Sequence, residues 1–148
     1  MGTRPPATSR EDVVNTAKQK ALVCQFYEQA ATGQWEDELL APDVVYHGPP
    51  MIGEIQGREG FSALLDSFRS AFPGFQTTID DVIADGDRVV VRHTHHATHL
   101  GDFLGIAPTG AHVVVPGIEM IRVRDGRITE FWHQDDFLSR LQQLTATP

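Results

Sequence analysis

Apolar positions recur every three or four residues before residue 74 and alternate after it. Val23, Phe26, Tyr27 and Ala30 fall at i, i+3, i+4 and i+7, the stripe of a helix that buries one face. That helix is expected to start near Ser9 to Asp12, with Ser9 as its cap and Glu11 and Asp12 at its positive end. Gly33 is its expected stop. Phe61, Leu64, Leu65, Phe68 and Phe72 predict a second helix, ended by Pro73 and Gly74. Between the two, Trp35 to Leu40 reads as a short helical turn. Val44 to His47 reads as a short strand closed by Gly48-Pro49-Pro50, and a loop follows to Gly57.

Four strands are expected next: Phe75 to Ala84, Arg88 to Leu100, Ala111 to Arg124 and Arg127 to Gln134. Asp85-Gly86-Asp87 and Asp125-Gly126 supply tight turns between them. Gly101 to Gly110 is a loop with Phe103 and Leu104 at its centre. Phe137 to Leu144 is a short closing helix, for which Asp135-Asp136 would serve as cap, a paired-acid site being the alternative. Helices followed by an antiparallel meander specify the α+β class, with a curved antiparallel sheet wrapped around the N-terminal helices. Such a sheet closed by helices leaves an internal pocket suited to a small ligand.

Length and charge narrow the function classes. The chain has 148 residues, the size of one domain, which needs neither disulfide nor metal to fold. Residues 1–10, with Pro5, Pro6, Thr8 and Ser9, read as a flexible tail, and residues 11–148 as a single domain. Acidic residues number 20 against 12 basic ones, which argues against nucleic acid and against an anionic membrane surface. A single cysteine, Cys24, leaves no internal disulfide and fits a cytoplasmic setting. No stretch approaches the ~20 apolar residues of a membrane span, and the start lacks the apolar core of a signal peptide. The partner these observations favour is a small-molecule substrate.

The candidate chemistry lies on the strands. Val113, Val115, Gly117, Glu119, Ile121 and Val123 share one face, so Glu119 is a carboxylate in an apolar row. Either it is buried with a partner, where desolvation suits it to acid–base work, or it is a rim glutamate or structural ion pair. Thr129, Phe131, His133 and Asp135 alternate against Ile128, Glu130, Trp132 and Gln134. Across the tight Asp125-Gly126 turn, positions summing to about 251 or 252 stand opposite each other. Glu119 and His133 satisfy that condition, and a carboxylate beside an imidazole is a recurring catalytic arrangement. In the run from Arg92 to His99, His93, His95 and His99 share a face, opposite His96. Imidazoles two apart on a strand suit polar pocket lining or, alternatively, a metal. His47, just before the Gly48-Pro49-Pro50 break, reaches the pocket mouth or merely caps a strand.

Several runs together resemble the SnoaL-like polyketide cyclases over about residues 14–144. They are Gly101-Asp102-Phe103-Leu104-Gly105-Ile106-Ala107-Pro108-Thr109-Gly110, then Gly117-Ile118-Glu119, then Asp125 to Trp132. Upstream, Leu40-Ala41-Pro42-Asp43, His47, Gly57 to Phe61 and Phe72-Pro73 match as well. The resemblance implies a cone-shaped fold shared with limonene-type epoxide hydrolases and ketosteroid isomerase. It also implies ring closure by an intramolecular aldol step with neither metal nor other cofactor. It further implies a homodimer, for which Ile118 and Met120 would supply an apolar outer row. Its acid–base residue, just after the aromatic position of the last strand, corresponds to His133, and the polar partner on the preceding strand to Glu119. The family's usual aspartate and histidine are here exchanged. His93, His95 and His47 would then bind substrate oxygen, and Phe131 and Tyr27 would line the cavity. By comparison with the epoxide hydrolases, His93, His95 and His133 stand where an Arg and two Asp would work, so the water-activating acid pair is absent. A non-catalytic binding protein and a metal-dependent enzyme using the strand histidines are the alternatives.

Overall fold

The computed structural model describes residues 6–34 and 38–146. The first helix, α1 (Arg10–Thr32), opens with a reciprocal cap: Ser9 Oγ accepts from the Asp12 amide at 3.0 Å, and Asp12 accepts from the Ser9 amide. It ends at Gly33, whose left-handed φ of 74° returns the chain's amide to Gln29. Arg10 thus already belongs to the helix, and the first five residues of the expected tail lie outside the described residues. Strand β1 (Leu40–His47) begins earlier than its apolar pattern suggests and runs through Pro42, absorbing it in an irregular register between Leu40 and Val45. The turn expected at Trp35 to Leu40 falls partly outside the described residues, and Leu40 itself is strand.

A short strand β2 (Glu54–Gln56) lies where a loop was expected, and α2 (Arg58–Ala71) follows it. Four long strands come next: β3 (Gln76–Asp85), β4 (Arg88–Thr98), β5 (His112–Arg124) and β6 (Arg127–Asp135). Helix α3 (Phe137–Thr145) closes the chain. The sheet has six strands in the order β2-β1-β6-β5-β4-β3, and β1 runs parallel to β6. The α+β class and the curved, unclosed sheet hold, but the antiparallel meander is extended at its β6 edge by a parallel strand from the N-terminal half. Local alternation carries no trace of that pairing, because a parallel partner must arrive from far along the chain.

Asp125 and Gly126 form the two-residue turn between β5 and β6, both with positive φ (51° and 72°). One extra residue then enters β6. Val123 pairs with Ile128 but Arg122 pairs with Glu130, so Thr129 is a bulge, its hydroxyl 3.4 Å from the Arg122 carbonyl. The bulge turns Ile128 inward, where it is fully buried, instead of outward with Glu130 and Trp132 as strict alternation predicts.

The concave face of the sheet packs on α1 and α2 around Val23, Phe26, Val44, Phe61, Ile121 and Phe131. A second apolar cluster, including Phe72, Phe103, Val115 and Leu144, joins the end of α2, the 101–110 loop and α3. Where β6 has ended, the edge of β5 is capped by α3: Gln143 accepts from the Val114 amide at 2.8 Å and donates to its carbonyl at 2.9 Å.

The amides of Leu100 and Gly101 both donate to the Ala71 carbonyl at 3.0 Å, and a Cβ on Gly101 would lie 2.2 Å from the Ser70 carbonyl oxygen. Backbone cannot retreat as a flexible side chain can. Gly101→Ala is therefore expected to cost about 1–3 kcal/mol as overpacking, which at ~2–4 °C per kcal/mol is a fall of several degrees in Tm. A thermal melt matching wild type would contradict this packing.

Candidate functional site

The inner face of β5 and β6 meets α1 and α2 around a hollow of about 100 Å³. Its apolar walls include Phe26, Phe61, Leu64, Leu65, Phe68 and Phe75. Polar groups converge on one side: Tyr27, Tyr46, His95, Glu119 and His133, together with Asp135 and Arg140. A few fixed polar groups in an apolar cavity are what orient a small ligand.

Glu119 stands directly opposite His133 in the β5–β6 ladder, on the same face. His133 Nδ1 lies 3.3 Å from Glu119 Oε1, and the two side chains are 12% and 5% exposed. The Tyr27 hydroxyl donates a short hydrogen bond to the other carboxylate oxygen of Glu119. Burial alone would push the Glu119 carboxyl up, but the His133 charge and the bonds from His133 and Tyr27 outweigh it and hold it below the usual range. Burial alone would lower His133, yet the Glu119 charge and the contacts with Asp135 and Glu119 raise it from 6.5 to about 9. Burial first, and then Glu119, push the Tyr27 phenol well above its ordinary value, so it stays a donor.

The histidine run divides by side-chain direction. His95 faces the pocket, its Nδ1 hydrogen-bonded to Thr77 at 2.9 Å, and burial followed by neighbouring positive groups keeps it well below its ordinary pKa. His93 is fully buried behind the pocket wall, 4.5 Å from the His95 ring and 5.7 Å from the His133 ring. It fits there because residue 117 is glycine: a Cβ would come within 2.6 Å of the His93 ring. His99 lies beyond the strand and accepts from the Thr109 amide at 3.1 Å, tying the 101–110 loop. His96 faces away, near His112.

Of the remaining residues singled out by sequence, Tyr27 lines the pocket, and Phe131 is fully buried behind it between Phe26 and Phe61. His47 is not at the pocket. In β1 Val44 and Tyr46 are buried and face inward, so His47 points to the outer face, where it meets Glu130 at 2.8 Å and Glu54 at 3.3 Å and stacks on Trp132.

Sequence reasoning singled out neither Tyr46 nor Arg140 for the pocket and favoured a capping role for Asp135. Asp136 alone caps α3, accepting from the Ser139 amide at 3.0 Å. Asp135, inward like His133 two residues earlier, has its side chain 1% exposed and its Oδ2 3.5 Å from His133 Nε2. Arg140, from α3, places Nη2 2.6 Å from that same oxygen. Burial would raise the Asp135 carboxyl, but His133 and Arg140 bring it down to about 2. His95, His133 and Asp135 sit close enough to share a metal ion, as do His93, Glu119 and His133. The alternation that placed His133 inward was the available signal for Asp135; Arg140 had none.

A curved sheet folded over an apolar hollow, with a buried carboxylate–imidazole pair on its wall, defines a protein of the α+β cone fold with an internal pocket. The chain belongs to the SnoaL-like polyketide cyclase family, whose model matches residues 21–144. It is 26% identical over 132 residues to the aklanonic acid methyl ester cyclase DnrD of Streptomyces peucetius, covering 83% of this chain and 88% of that one. Its fold is similar to IdmH of Streptomyces antibioticus (33% identity, TM-score 0.76, 86% of this chain and 98% of that one). AclR of Streptomyces galilaeus, described as a candidate hydroxylase, is similar too (28% identity, TM-score 0.77, 90% of this chain and 99% of that one). No helix among the described residues is long and apolar enough to cross a membrane.

The raised pKa of His133 links the site to stability. A folded-state value above the unfolded 6.5 means the contribution is whole below about pH 6.5 and is lost as pH rises through about 9. Thermal melts should show a decline in Tm across that window, and His133→Asn should flatten it. An equal decline in the variant would assign the slope to other groups.

Proposed function

We propose that the protein is a polyketide cyclase-like enzyme that closes a ring on a small, largely apolar, carbonyl-containing molecule by an intramolecular aldol step. His133 and Glu119 exchange the proton that this step moves. The observation that carries the reading is the 3.3 Å contact between Glu119 Oε1 and His133 Nδ1 inside a water-poor hollow. An aldol closure takes one proton from carbon and delivers one to the new alkoxide, so it needs two proton-holding groups and no net supply. The pair provides both places. Tyr27 and His95 stand at the same wall, where they can meet a substrate oxygen. The aromatic and leucine walls suit a flat, apolar body.

The kinship with DnrD supports the same chemistry and names the first compound to assay, aklanonic acid methyl ester, alongside smaller aryl 1,3-diketones. Cyclisation is mass-neutral, so the product is read as a shifted chromatographic peak of unchanged mass. His133→Ala should lower kcat by about 10²- to 10⁴-fold, the usual effect of losing a positioned acid–base group, with circular dichroism unchanged. Turnover at the wild-type rate in that variant would refute the assignment.

A further inference from the structure

We propose that Asp135 and Arg140 are positioning residues that hold His133 as an imidazolium, so that His133 is the proton donor of the site and Glu119 the acceptor. This rests on the acid–base reading above and fixes its direction.

The argument begins with the imidazole. Each ring nitrogen of His133 faces a carboxylate, Nδ1 toward Glu119 at 3.3 Å and Nε2 toward Asp135 at 3.5 Å. A neutral imidazole carries one N–H and would turn a lone pair toward one of the two carboxylates; the imidazolium sets positive charge against both, in a hydrogen bond to Glu119 and an ion pair to Asp135. Asp135 is held for that role. Arg140 Nη2 lies 2.6 Å from the oxygen that faces His133. Arg140 is fixed in turn, its guanidinium lying over the rings of Phe68 and Phe103 at 5.3 and 5.9 Å. Its helix is pinned at one end by the Asp136 cap and at the other by Gln143 on the β5 edge.

The other groups around His133 do not compete for the charge. Tyr46 of β1 approaches at 5.8 Å between ring centres, and burial keeps its phenol protonated. His93 and His95 of β4 stand 5.7 and 6.3 Å away, and burial favours their neutral forms. Tyr27 of α1 reaches only Glu119. Two carboxylates and one guanidinium leave one negative charge, which the imidazolium cancels. In the cyclisation, Glu119 takes the proton from the substrate carbon as the carbon–carbon bond forms, and His133 gives its proton to the alkoxide oxygen. The proton on Glu119 then returns to His133 across their contact.

The test is an NMR titration of the full chain with labelled imidazoles and no ligand. The His133 midpoint is expected near 9, and Asp135→Asn should lower it by a unit or more while Asp135→Glu recovers part of the shift. Turnover should fall above about pH 9, and that limb should move down in Asp135→Asn. A wild-type His133 midpoint at or below 6.5 overturns the proposal, as does a midpoint unmoved in Asp135→Asn. If Asp135→Asn fails to fold, the wild-type titration and Asp135→Glu still decide. Because the titration uses no substrate, a normal His133→Ala turnover would sink the acid–base reading and the donor role with it, leaving only the Asp135–Arg140 hold on the His133 charge. An inactive His133→Ala with a low wild-type midpoint would sink only that hold.

Discussion

One inserted residue determines what faces the pocket. The two-residue turn sets β5 against β6 with paired positions summing to 251, as in Val123 with Ile128. In that register Glu119 would stand opposite Trp132. The bulge at Thr129 advances the sum by one, and Glu119 meets His133 instead. The same shift lets Ile128, Phe131, His133 and Asp135 all turn toward the core, although Ile128 and Phe131 differ by an odd number. The contact between Glu119 and His133 follows from that offset. Glu119 can be buried because His133 and Tyr27 reach it, and His133 can hold a charge because two carboxylates flank it.

The remaining architecture supplies surroundings for this ladder. Helix α1 brings Tyr27, β4 brings His95, and α3 brings Arg140, while β1 covers the far edge of β6. The groups thus come from six elements, α1, β1, β4, β5, β6 and α3, and rigid strands rather than loops hold the central pair. Gly117 contributes by what it lacks, since the His93 ring occupies the space of its missing side chain.

Much of this was legible in the chain itself. Ser9 and Gly33 announced α1, the aspartate–glycine pairs announced hairpins, and the parity of Glu119 and His133 left two registers open, one of them correct. The rest depended on long-range partners. A three-residue strand such as β2 leaves no periodic signal, and a parallel pairing of β1 with β6 has no local signature. Asp135 was hidden by its neighbour, because two aspartates before a helix read as a cap and only Asp136 serves as one. His47 was misplaced for a simpler reason: Val44 and Tyr46 already claimed the inward positions of its strand.

The buried quartet also imposes a selection rule on what can enter. With His133 protonated as proposed, Glu119 and Asp135 offset His133 and Arg140, and the wall carries no net charge. A neutral guest leaves that balance intact and is recognised through dipoles alone. An ionised guest would strip its own hydration and leave an uncancelled charge in a medium that screens poorly, a cost of several kcal/mol for each ion. Masking an acid as an ester removes that barrier. The cavity thereby discriminates by ionisation state before shape is consulted.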